Sequence, residues 1–419
     1  MAFLQSRSTR EFGKSPMMKP LKLNLATLVC TLVCFIGMSC CFAVGQDKPL
    51  KVFVLVGQSN MQGHAKTTTL PHLAMDPTTK PILAEIQTEA GQPRVLDDVW
   101  ISYLSSSGVK TGKLTTGFGA DKNKIGPELT FGIYMQKRIG QPILIIKTAW
   151  GGKSINTDFR PPSAGPYVFE QSVLDRLKDQ GKDIAKIKAE KEATTGVYYR
   201  QTIEHVKKVL ADIKTVYPDY DSKRGYELAG MVWFQGWNDM VDQGTYPKRG
   251  EPGGYEKYTQ VLTHMIGDFR KDLSAPEMPF VIGVIGVGGP TDKYQPSQLR
   301  YQKVHQNIRD AMAAPARSGK LKNVVAVLTE NYWDLELDAL IGQNNQIKNK
   351  LRKLQKEGTL NKNDFATTLE KLQAESFSDT ERKILSVGPS NQAYHYLGSG
   401  KILARIGKAF AEAMPISEQ

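Results

Sequence analysis

Cysteine is scarce in this chain, and its four residues are confined to one short stretch near the start. They are Cys30, Cys34, Cys40 and Cys41. If the segment that holds them is removed, the remaining chain has no cysteine, which excludes disulfide bonds, thiolate metal sites and a cysteine nucleophile. Covalent chemistry would then depend on another residue type.

Long apolar runs are equally rare, and the clearest one extends from Leu25 to Met38 after a basic stretch. Small residues follow it around Ala43, and this order is typical of a secretory signal peptide, which we predict over residues 1–45. The alternative is an uncleaved membrane anchor, because Leu25 to Val44 is just long enough to cross a bilayer. We expect cleavage, and hence a periplasmic or secreted protein without a stable membrane span.

Acidic residues are in the minority, and the formal net charge is +13. The basic excess is spread through stretches of alternating sign, such as Lys182 to Lys191 and Lys348 to Lys356, which is typical of solvated helix faces. We expect no nucleic-acid partner for an exported protein with this charge distribution.

Short aliphatic runs alternate with longer amphipathic stretches, a pattern that predicts a parallel sheet with helices on both faces. Glycine, proline or polar residues bound each run, as expected for buried strands. The predicted strands are Lys51–Val56, Ile143–Thr148, Leu228–Phe234, Phe280–Val287 and Asn323–Leu328. The predicted helices are Glu128–Arg138, Tyr199–Val216, Tyr255–Leu273, Gln298–Ala314 and Gly398–Met414.

Two charged segments interrupt this alternation, at about 163–193 and 334–385. The first is predicted to be helical, and the second to form two helices around Glu357-Gly358-Thr359. Neither has enough large apolar residues for a core of its own. We therefore expect residues 46–419 to form a single domain that carries two helical insertions.

A serine follows the first predicted strand, in the segment Gly57-Gln58-Ser59-Asn60-Met61. Reactive groups in open α/β sheets gather at the carboxyl ends of strands, and a glycine allows a sharp turn there. Serine and asparagine are also common helix caps, so this segment alone does not decide the role. Ser59 is the candidate nucleophile.

Two further strand ends carry groups suited to an oxyanion. A pair of glycines that ends in Gly152 follows one strand and can offer free N–H groups. Another strand runs into two amides, Gln235 and Asn238, whose N–H₂ groups are neutral donors. We predict an oxyanion hole made by the N–H groups of Ser59 and Gly152 together with the amide of Gln235 or of Asn238.

Histidine is rare as well, with six residues in the chain. A serine nucleophile needs a base whose pKa lies near 7. Three histidines lie in helical patterns and a fourth in a proline-flanked loop: His205, His264, His305 and His72. His395, in a polar loop before the last helix, is the base by elimination, and His64 is a candidate substrate contact.

Together these segments resemble the four blocks of the SGNH hydrolases, which supply Ser, Gly, Asn and His. The closer similarity is to the sialate O-acetylesterase-like domain of carbohydrate esterase family six. The family's Gly-Gln-Ser-Asn-Met is intact at 57–61, and its Gly-Pro-Glu and Trp-Gly-Gly stretches match 126–128 and 150–152. The resemblance covers roughly residues 50 to 412, with the two insertions outside it.

This resemblance implies a three-layer α/β/α, flavodoxin-like fold and a serine esterase that needs neither metal nor organic cofactor. Ser59 would attack an ester carbonyl, and His395 would take its proton on the way to an acyl-enzyme. The implied partner is an acetylated carbohydrate, either a sialic acid or a xylan-type polysaccharide. Two alternatives stay open: a general short-chain, lipase-like SGNH esterase, and a catalytically weakened carbohydrate-binding descendant.

One departure from the family concerns the third block, which usually reads Gln-Gly-Glu. Here Trp237 stands in place of the glutamate. Gln235 fits the family's oxyanion donor, whereas Asn238 fits the general SGNH block, so both remain candidates.

The second departure concerns the acid of the triad. The family's acid lies three residues before the histidine, where this chain has Gln392. A glutamine can orient an imidazole but cannot stabilise imidazolium with a full charge. We predict that Asp334 or Glu330, after the fifth predicted strand, serves as the acid, or that the enzyme works as a weakened dyad.

The leader gives a direct test. Expression of the full chain in a secreting host should yield an exported protein whose first residue lies next to Ala43, because small residues follow the apolar run there. N-terminal sequencing of the exported protein measures this. An exported protein that still begins at Met1 would show that the segment is retained.

Overall fold

A sheet of seven strands forms the centre of the protein. The computed structural model describes residues 48–416, so the predicted signal peptide lies outside the described residues. The sheet contains β1 (Leu50–Gly57), β3 (Leu96–Ser105), β4 (Gly108–Leu114), β6 (Ile143–Ala149), β7 (Tyr226–Phe234), β8 (Phe280–Val284) and β9 (Val324–Leu328). A separate antiparallel ribbon pairs β2 (Ala65–Lys66) with β5 (Lys124–Ile125).

The strand order is β4-β3-β6-β1-β7-β8-β9. β3 and β4 run antiparallel as a hairpin at one edge, and the other neighbouring pairs in the sheet are parallel. β1 is therefore central, and the chain crosses from one of its sides to the other between β6 and β7. In doubly wound sheets this crossing point is where ligands bind, beyond the carboxyl ends of the strands.

Helices connect and cover the strands. They are α1 (Ser59–Gln62), α2 (Lys80–Ile86), α3 (Glu128–Ile139), α4 (Gln171–Asp179), α5 (Ile184–Thr194), α6 (Val197–Ala211), α7 (Trp237–Val241), α8 (Glu256–Asp272), α9 (Gln302–Arg317), α10 (Leu335–Lys356), α11 (Phe365–Ser376), α12 (Asp379–Val387) and α13 (Gly400–Ala413). None of these described helices combines the length and apolar content needed to cross a membrane.

Two adjacent residues of β7 show that helices pack on both faces of the sheet. Successive side chains of a strand point to opposite faces of the sheet. Trp233 packs towards α8, where its indole N–H donates to the Tyr258 hydroxyl at 3.2 Å. Phe234 packs towards α13, with its ring centroid 5.3 Å from that of Phe410. The sheet thus has helices on both faces, and the predicted three-layer α/β/α class is confirmed.

The five predicted strands are all present in the parallel part of the sheet, with small changes at their ends. The fourth ends at Val284 and not at Val287, because the following loop packs tightly against the chain after β9. A Cβ built on Gly286 would overlap the backbone nitrogen of Glu330. The β3–β4 hairpin was not predicted, because acidic residues interrupt the start of β3 and β4 is charged and contains glycine, although the middle of β3 is rich in aliphatic and aromatic residues.

Both segments predicted as helical insertions contain helices. The first holds α4 and α5, and the described residues from Pro49 onward belong to one compact unit. The second was predicted to hold two helices, which is wrong in number, since it holds α10, α11 and α12. The extra helix begins at Asp379 and is capped by Ser378, whose side chain and that of Glu381 form a reciprocal capping box. Such a cap satisfies N–H groups that a new helix would otherwise leave unpaired.

The register of the central strands aligns three chain segments at one edge. Gly57, the last residue of β1, pairs with Ala149 of β6 on one side and with Phe234 of β7 on the other. The residues that follow these three positions therefore meet at the carboxyl edge of the sheet. Gly57 is required there, because a Cβ at this position would overlap the carbonyl oxygen of Phe234.

Candidate active site

Ser59 is the first residue of α1, a single helical turn directly beyond β1. The turn closes on itself, since the N–H of Gly63 donates to the Ser59 carbonyl at 2.9 Å. Met61 is fully buried beneath it and anchors the turn in the core. No hydrogen bond from another residue of the described chain occupies the Ser59 hydroxyl, so it is available to a substrate.

A buried ion pair supports this turn from below. Lys147 of β6 and Glu128, the first residue of α3, are both fully buried, with the ammonium and a carboxylate oxygen 2.7 Å apart. The same ammonium donates to the carbonyls of Gln62 at 2.9 Å and Phe118 at 2.8 Å. Gln62 is the last residue of the turn that begins at Ser59, so the ion pair fixes the position of the candidate nucleophile.

Gln58 joins the Ser59 turn to the segment after β7. Its side-chain oxygen accepts from the N–H groups of Gly236 at 3.3 Å and Asn238 at 3.4 Å, and from the amide of Gln235 at 3.1 Å. Gln58 is itself almost fully buried. Because one carbonyl oxygen serves three donors, the two strand ends keep a fixed separation.

The two candidate amide donors have different surroundings. The side-chain nitrogen of Gln235 is buried and lies within hydrogen-bond distance of three acceptors, at Gln58, Asp239 and the backbone carbonyl of Lys153. The side chain of Asn238 is partly exposed and makes no hydrogen bond with the described residues. An amide has only two N–H donors, so Gln235 is committed to the protein, whereas Asn238 is free to meet an oxyanion.

Asp239 organises the loop that follows β6. Its buried carboxylate accepts from the N–H groups of Ile155 at 2.8 Å and Asn156 at 3.3 Å, from the Gln235 amide at 2.6 Å and from the Tyr246 hydroxyl at 2.9 Å. Burial raises the pKa of Asp239 to about 6, and these hydrogen bonds oppose the rise. The Asp239 carboxylate thus holds the loop that contains Gly152 close to the carboxyl end of β7.

Gly152 itself lies on the surface in a left-handed conformation, with φ of +72°. Within the described residues its N–H has no hydrogen-bond partner, which is what an oxyanion donor requires. No group of three histidine, cysteine or acidic side chains in the described part of the chain is arranged to hold a metal ion.

The backbone is strained immediately after His395. Tyr396 and Leu397 both adopt left-handed conformations, with φ of 51° and 60°. Such residues cost on the order of 1–3 kcal/mol each and persist only when their surroundings hold them. Here the Tyr396 hydroxyl is buried and accepts from the N–H of Gly286 at 2.8 Å, and the Leu397 carbonyl accepts from Asn391 at 3.0 Å. The strain directs the His395 side chain back over its own loop.

His395 contacts an amide and not a carboxylate. Its Nδ1 lies 3.1 Å from Oδ1 of Asn391, and the same oxygen accepts from the backbone N–H of Gln392 at 2.8 Å. Because a backbone N–H can only donate, the Asn391 atom there is the oxygen. Nδ1 of His395 therefore carries the proton, and Nε2 is left as the basic nitrogen.

Two more rings surround this imidazole. His64 stacks on His395 with ring centroids 4.1 Å apart and planes 3° apart, and Tyr394 meets it at 4.5 Å in an edge arrangement. Burial, reinforced by the charge of Lys124, lowers the pKa of His395 to about 4. Burial also lowers the pKa of His64 to about 4, with His395 and Lys124 adding to the effect. Both rings are thus neutral at physiological pH.

Asp334 and Glu330, the predicted acids, have other partners. Asp334 caps α10 by accepting from the Leu337 N–H at 3.0 Å, and it pairs with Lys401 at 3.0 Å. Glu330 forms an ion pair with buried Arg309. Within residues 48–416 no hydrogen bond or ion pair joins His395 to a carboxylate. No contact supports either residue as the acid, and their assignment stays a prediction.

The structure thus brings the strand-end candidates Ser59, Gly152 and Asn238 to one edge, and His64 against His395. Within the described residues no hydrogen bond joins the Ser59 hydroxyl to His395, although the stacked His64 lies only five residues beyond Ser59. Sequence reasoning missed Asn391, because it looked for a carboxylate at the family's position. The sequence did contain one signal, an asparagine directly before Gln392. The side chain of Gln392 itself is exposed in the structure.

Comparison with known proteins gives one matching family model and several similar solved structures, two of which follow. The family model described as "Carbohydrate esterase, sialic acid-specific acetylesterase" matches residues 49–339, a range that includes Ser59 but ends before His395. No curated protein sequence matches the chain. A protein of Arabidopsis thaliana is 18% identical over 67% of this chain and 86% of its own, with a TM-score of 0.35. A carbohydrate acetylesterase from Xanthomonas citri is 15% identical over 66% of this chain and 49% of its own, with a TM-score of 0.38.

The Asn391 contact generates a prediction about pH. Replacing Asn391 with aspartate should raise the turnover number for ester hydrolysis by about tenfold or more, because a carboxylate stabilises the imidazolium formed in the transition state. It should also raise the pKa of His395, so the acid limb of the kcat/KM profile should move upward from its position near pH 4.

Gln392→Asp is the matched control, since the exposed side chain at 392 makes no contact with the ring. The measurement is the pH dependence of kcat/KM for wild type and both variants. A larger gain from Gln392→Asp than from Asn391→Asp would contradict the assignment of Asn391.

Proposed function

The chain belongs to the carbohydrate esterase family of sialic acid-specific acetylesterases, and we propose that it removes O-acetyl groups from sialic acid or xylan-type saccharides through an acyl-enzyme on Ser59. Family membership makes it a carboxylic-ester hydrolase. The proposal adds the substrate class and the roles of individual residues. The observation that carries it is the meeting of three strand ends, after Gly57, Ala149 and Phe234, in one row.

The first step is attack on the ester carbonyl by the Ser59 hydroxyl. His395 Nε2 takes the hydroxyl proton, and the hydrogen bond from Nδ1 to Asn391 keeps Nε2 in its basic form. The stacked ring of His64 holds the imidazole plane. An amide at this position fixes the tautomer but stabilises imidazolium less than a carboxylate would, so the base works with reduced electrostatic help.

The tetrahedral intermediate places its negative charge near the three strand ends. The N–H groups of Ser59 and Gly152 are two donors, and the amide of Asn238 is the third. Asn238 is preferred over Gln235 because its side chain is unpaired, whereas the Gln235 amide is shared among three acceptors. Gln235 then acts through Gln58 and Asp239, by fixing the loop in which Asn238 lies. Preorganised donors of this kind stabilise a developing charge without having to reorganise.

Collapse of the intermediate breaks the bond between the acyl carbon and the sugar oxygen. His395 returns its proton to that oxygen, the deacetylated sugar departs, and the acetyl group remains on Ser59. A water molecule then attacks the acyl carbon while His395 takes one of its protons. When the second intermediate collapses, the proton returns to Ser59 and acetic acid leaves, which gives its remaining proton to solvent and becomes acetate. All atoms and protons are accounted for by the ester and one water, so no redox partner is needed.

One observation favours a second candidate function. No carboxylate of the described chain contacts His395, and a weakened base would suit a protein that binds acetylated carbohydrate without turning it over. The general short-acyl esterase alternative uses the same residues with a different leaving group. Relative rates on acetylated saccharides and on longer acyl esters separate these readings.

We also propose that the protein acts outside the cytoplasm, after removal of the leader predicted at residues 1–45. Its support is the order of basic, apolar and small residues in that segment. The sequencing experiment described above is its test. Export would bring the enzyme to polysaccharides and glycans that are not present inside the cell.

The proposed function predicts release of acetate from acetylated xylan or an O-acetylated sialic acid. Ser59→Ala should lower kcat by roughly 10³-fold or more, because the remaining donors and binding contacts give only residual catalysis. Acetate production is measured enzymatically for both proteins with each substrate. Asn349→Ala is a suitable control, since Asn349 lies on the insertion helix α10.

Binding of the acetylated saccharide with no acetate release from the wild type would favour the carbohydrate-binding descendant. Faster hydrolysis of butyrate or longer esters than of any acetylated saccharide would favour the general esterase.

A further inference from the structure

Two aromatic side chains flank the catalytic groups on the solvent side. The rings of Trp237 and Tyr394 lie with centroids 5.6 Å apart and planes 41° apart. Tyr394 is 39% exposed, and Trp237 is partly exposed. Trp237 packs against the margin of the core with part of its surface open, and Tyr394 is one of three large aromatic side chains that are exposed in the described chain.

The pair is built from two different catalytic loops. Trp237 is the first residue of α7 and directly precedes Asn238, the candidate oxyanion donor. Tyr394 directly precedes His395 and contacts its ring at a centroid distance of 4.5 Å. The two rings therefore keep a fixed relation to both the oxyanion donor and the base.

The position of the leaving group determines what the rings of Trp237 and Tyr394 contact. His395 must hand a proton to the sugar oxygen as the ester breaks, so that oxygen comes within hydrogen-bond distance of Nε2. The acetyl group occupies the space over Ser59, and the saccharide must then extend outward past His395. Tyr394 contacts the His395 ring and Trp237 contacts Tyr394, so both aromatic rings lie within reach of a saccharide that passes His395.

We propose that Trp237 and Tyr394 form the subsite that binds the sugar ring carrying the acetyl ester, an inference that rests on the proposed function. The C–H groups on one face of a pyranose make an apolar surface, and the electron-rich face of an aromatic ring attracts their weakly positive hydrogens. Tryptophan offers a flat apolar surface, so this chain selects a saccharide by the shape of its ring face.

The test measures binding separately from turnover. Ser59→Ala protein is titrated calorimetrically with an acetylated xylo-oligosaccharide, alone and combined with Trp237→Ala, Tyr394→Ala or Trp237→Phe. Removal of either ring should weaken binding by about tenfold, whereas Trp237→Phe should cost roughly threefold or less, because a phenyl ring keeps part of the stacking surface.

Tyr226→Ala is the matched control. Tyr226 is similarly exposed, but it is the first residue of β7 and so lies at the end of the strand away from the active site. It should leave binding unchanged. Thermal unfolding of each variant checks that it is folded, and two independent alanine variants keep the test valid if one of them is not. Unchanged affinity in a folded Trp237→Ala and a folded Tyr394→Ala would overturn the proposal.

Steady-state kinetics of protein that retains Ser59 distinguish a failure of this inference from a failure of the proposed function on which it rests. If the wild type deacetylates the oligosaccharide and Trp237→Ala raises KM for it more than KM for ethyl acetate, the subsite is supported. If both KM values rise equally, or only that for ethyl acetate rises, the rings bind the acyl group and the inference fails while the esterase activity stands. If the wild type hydrolyses ethyl acetate but no acetylated saccharide, the proposed function and the subsite both fail.

Discussion

The site depends on one buried ion pair, between Lys147 of β6 and Glu128 at the start of α3. An isolated charge in the core would be strongly unfavourable, and burial accordingly lowers the pKa of Lys147 while the Glu128 carboxylate opposes that shift. The ammonium also lies 4.3 Å from the centre of the Tyr103 ring and donates to two backbone carbonyls. Removing one member of such a pair typically costs about 3–5 kcal/mol, because the other is left buried and uncompensated. One of the carbonyls belongs to Gln62, so loss of the pair would also release the Ser59 turn.

A buried amide and a buried carboxylate provide the next level of order. Gln58 binds the Ser59 turn to the loop after β7, and Asp239 binds that loop to the one after β6. Because these hydrogen bonds are buried and connect to one another, they hold the three strand ends together. The base comes from the loop before α13, whose left-handed residues Tyr396 and Leu397 are held by hydrogen bonds with Gly286 and Asn391. Rigid donors and a separately held base are what an ester hydrolase needs, because charge develops at fixed points during the reaction.

Much of this arrangement could be predicted from sequence. Aliphatic runs such as Ile143–Thr148 predicted the parallel strands, because buried strands need apolar residues on both faces. Ser59, Gly152 and Asn238 could be assigned to one edge because each follows such a run. The hairpin at the sheet edge could not be predicted from its outer strand, since β4 has one neighbour and carries lysine and glycine in place of an aliphatic run. Nor could Asn391, because its contact with His395 depends on the backbone conformation of residues 396–398, which no local pattern specifies.

The central claim is that Ser59 carries the acyl group, with a histidine supported by an amide. With acetylated substrate in excess, part of the protein is expected to be acyl-enzyme during steady turnover, because hydrolysis passes through that intermediate. Intact-protein mass spectrometry after rapid acid quenching measures it most directly, with peptide mapping to locate the modification. The expected result is a single acetyl group, located on Ser59 and absent from the Ser59→Ala variant. Acetate release at full rate with no acetylated Ser59 at any time, or an acetyl group on another residue that Ser59→Ala retains, would contradict it.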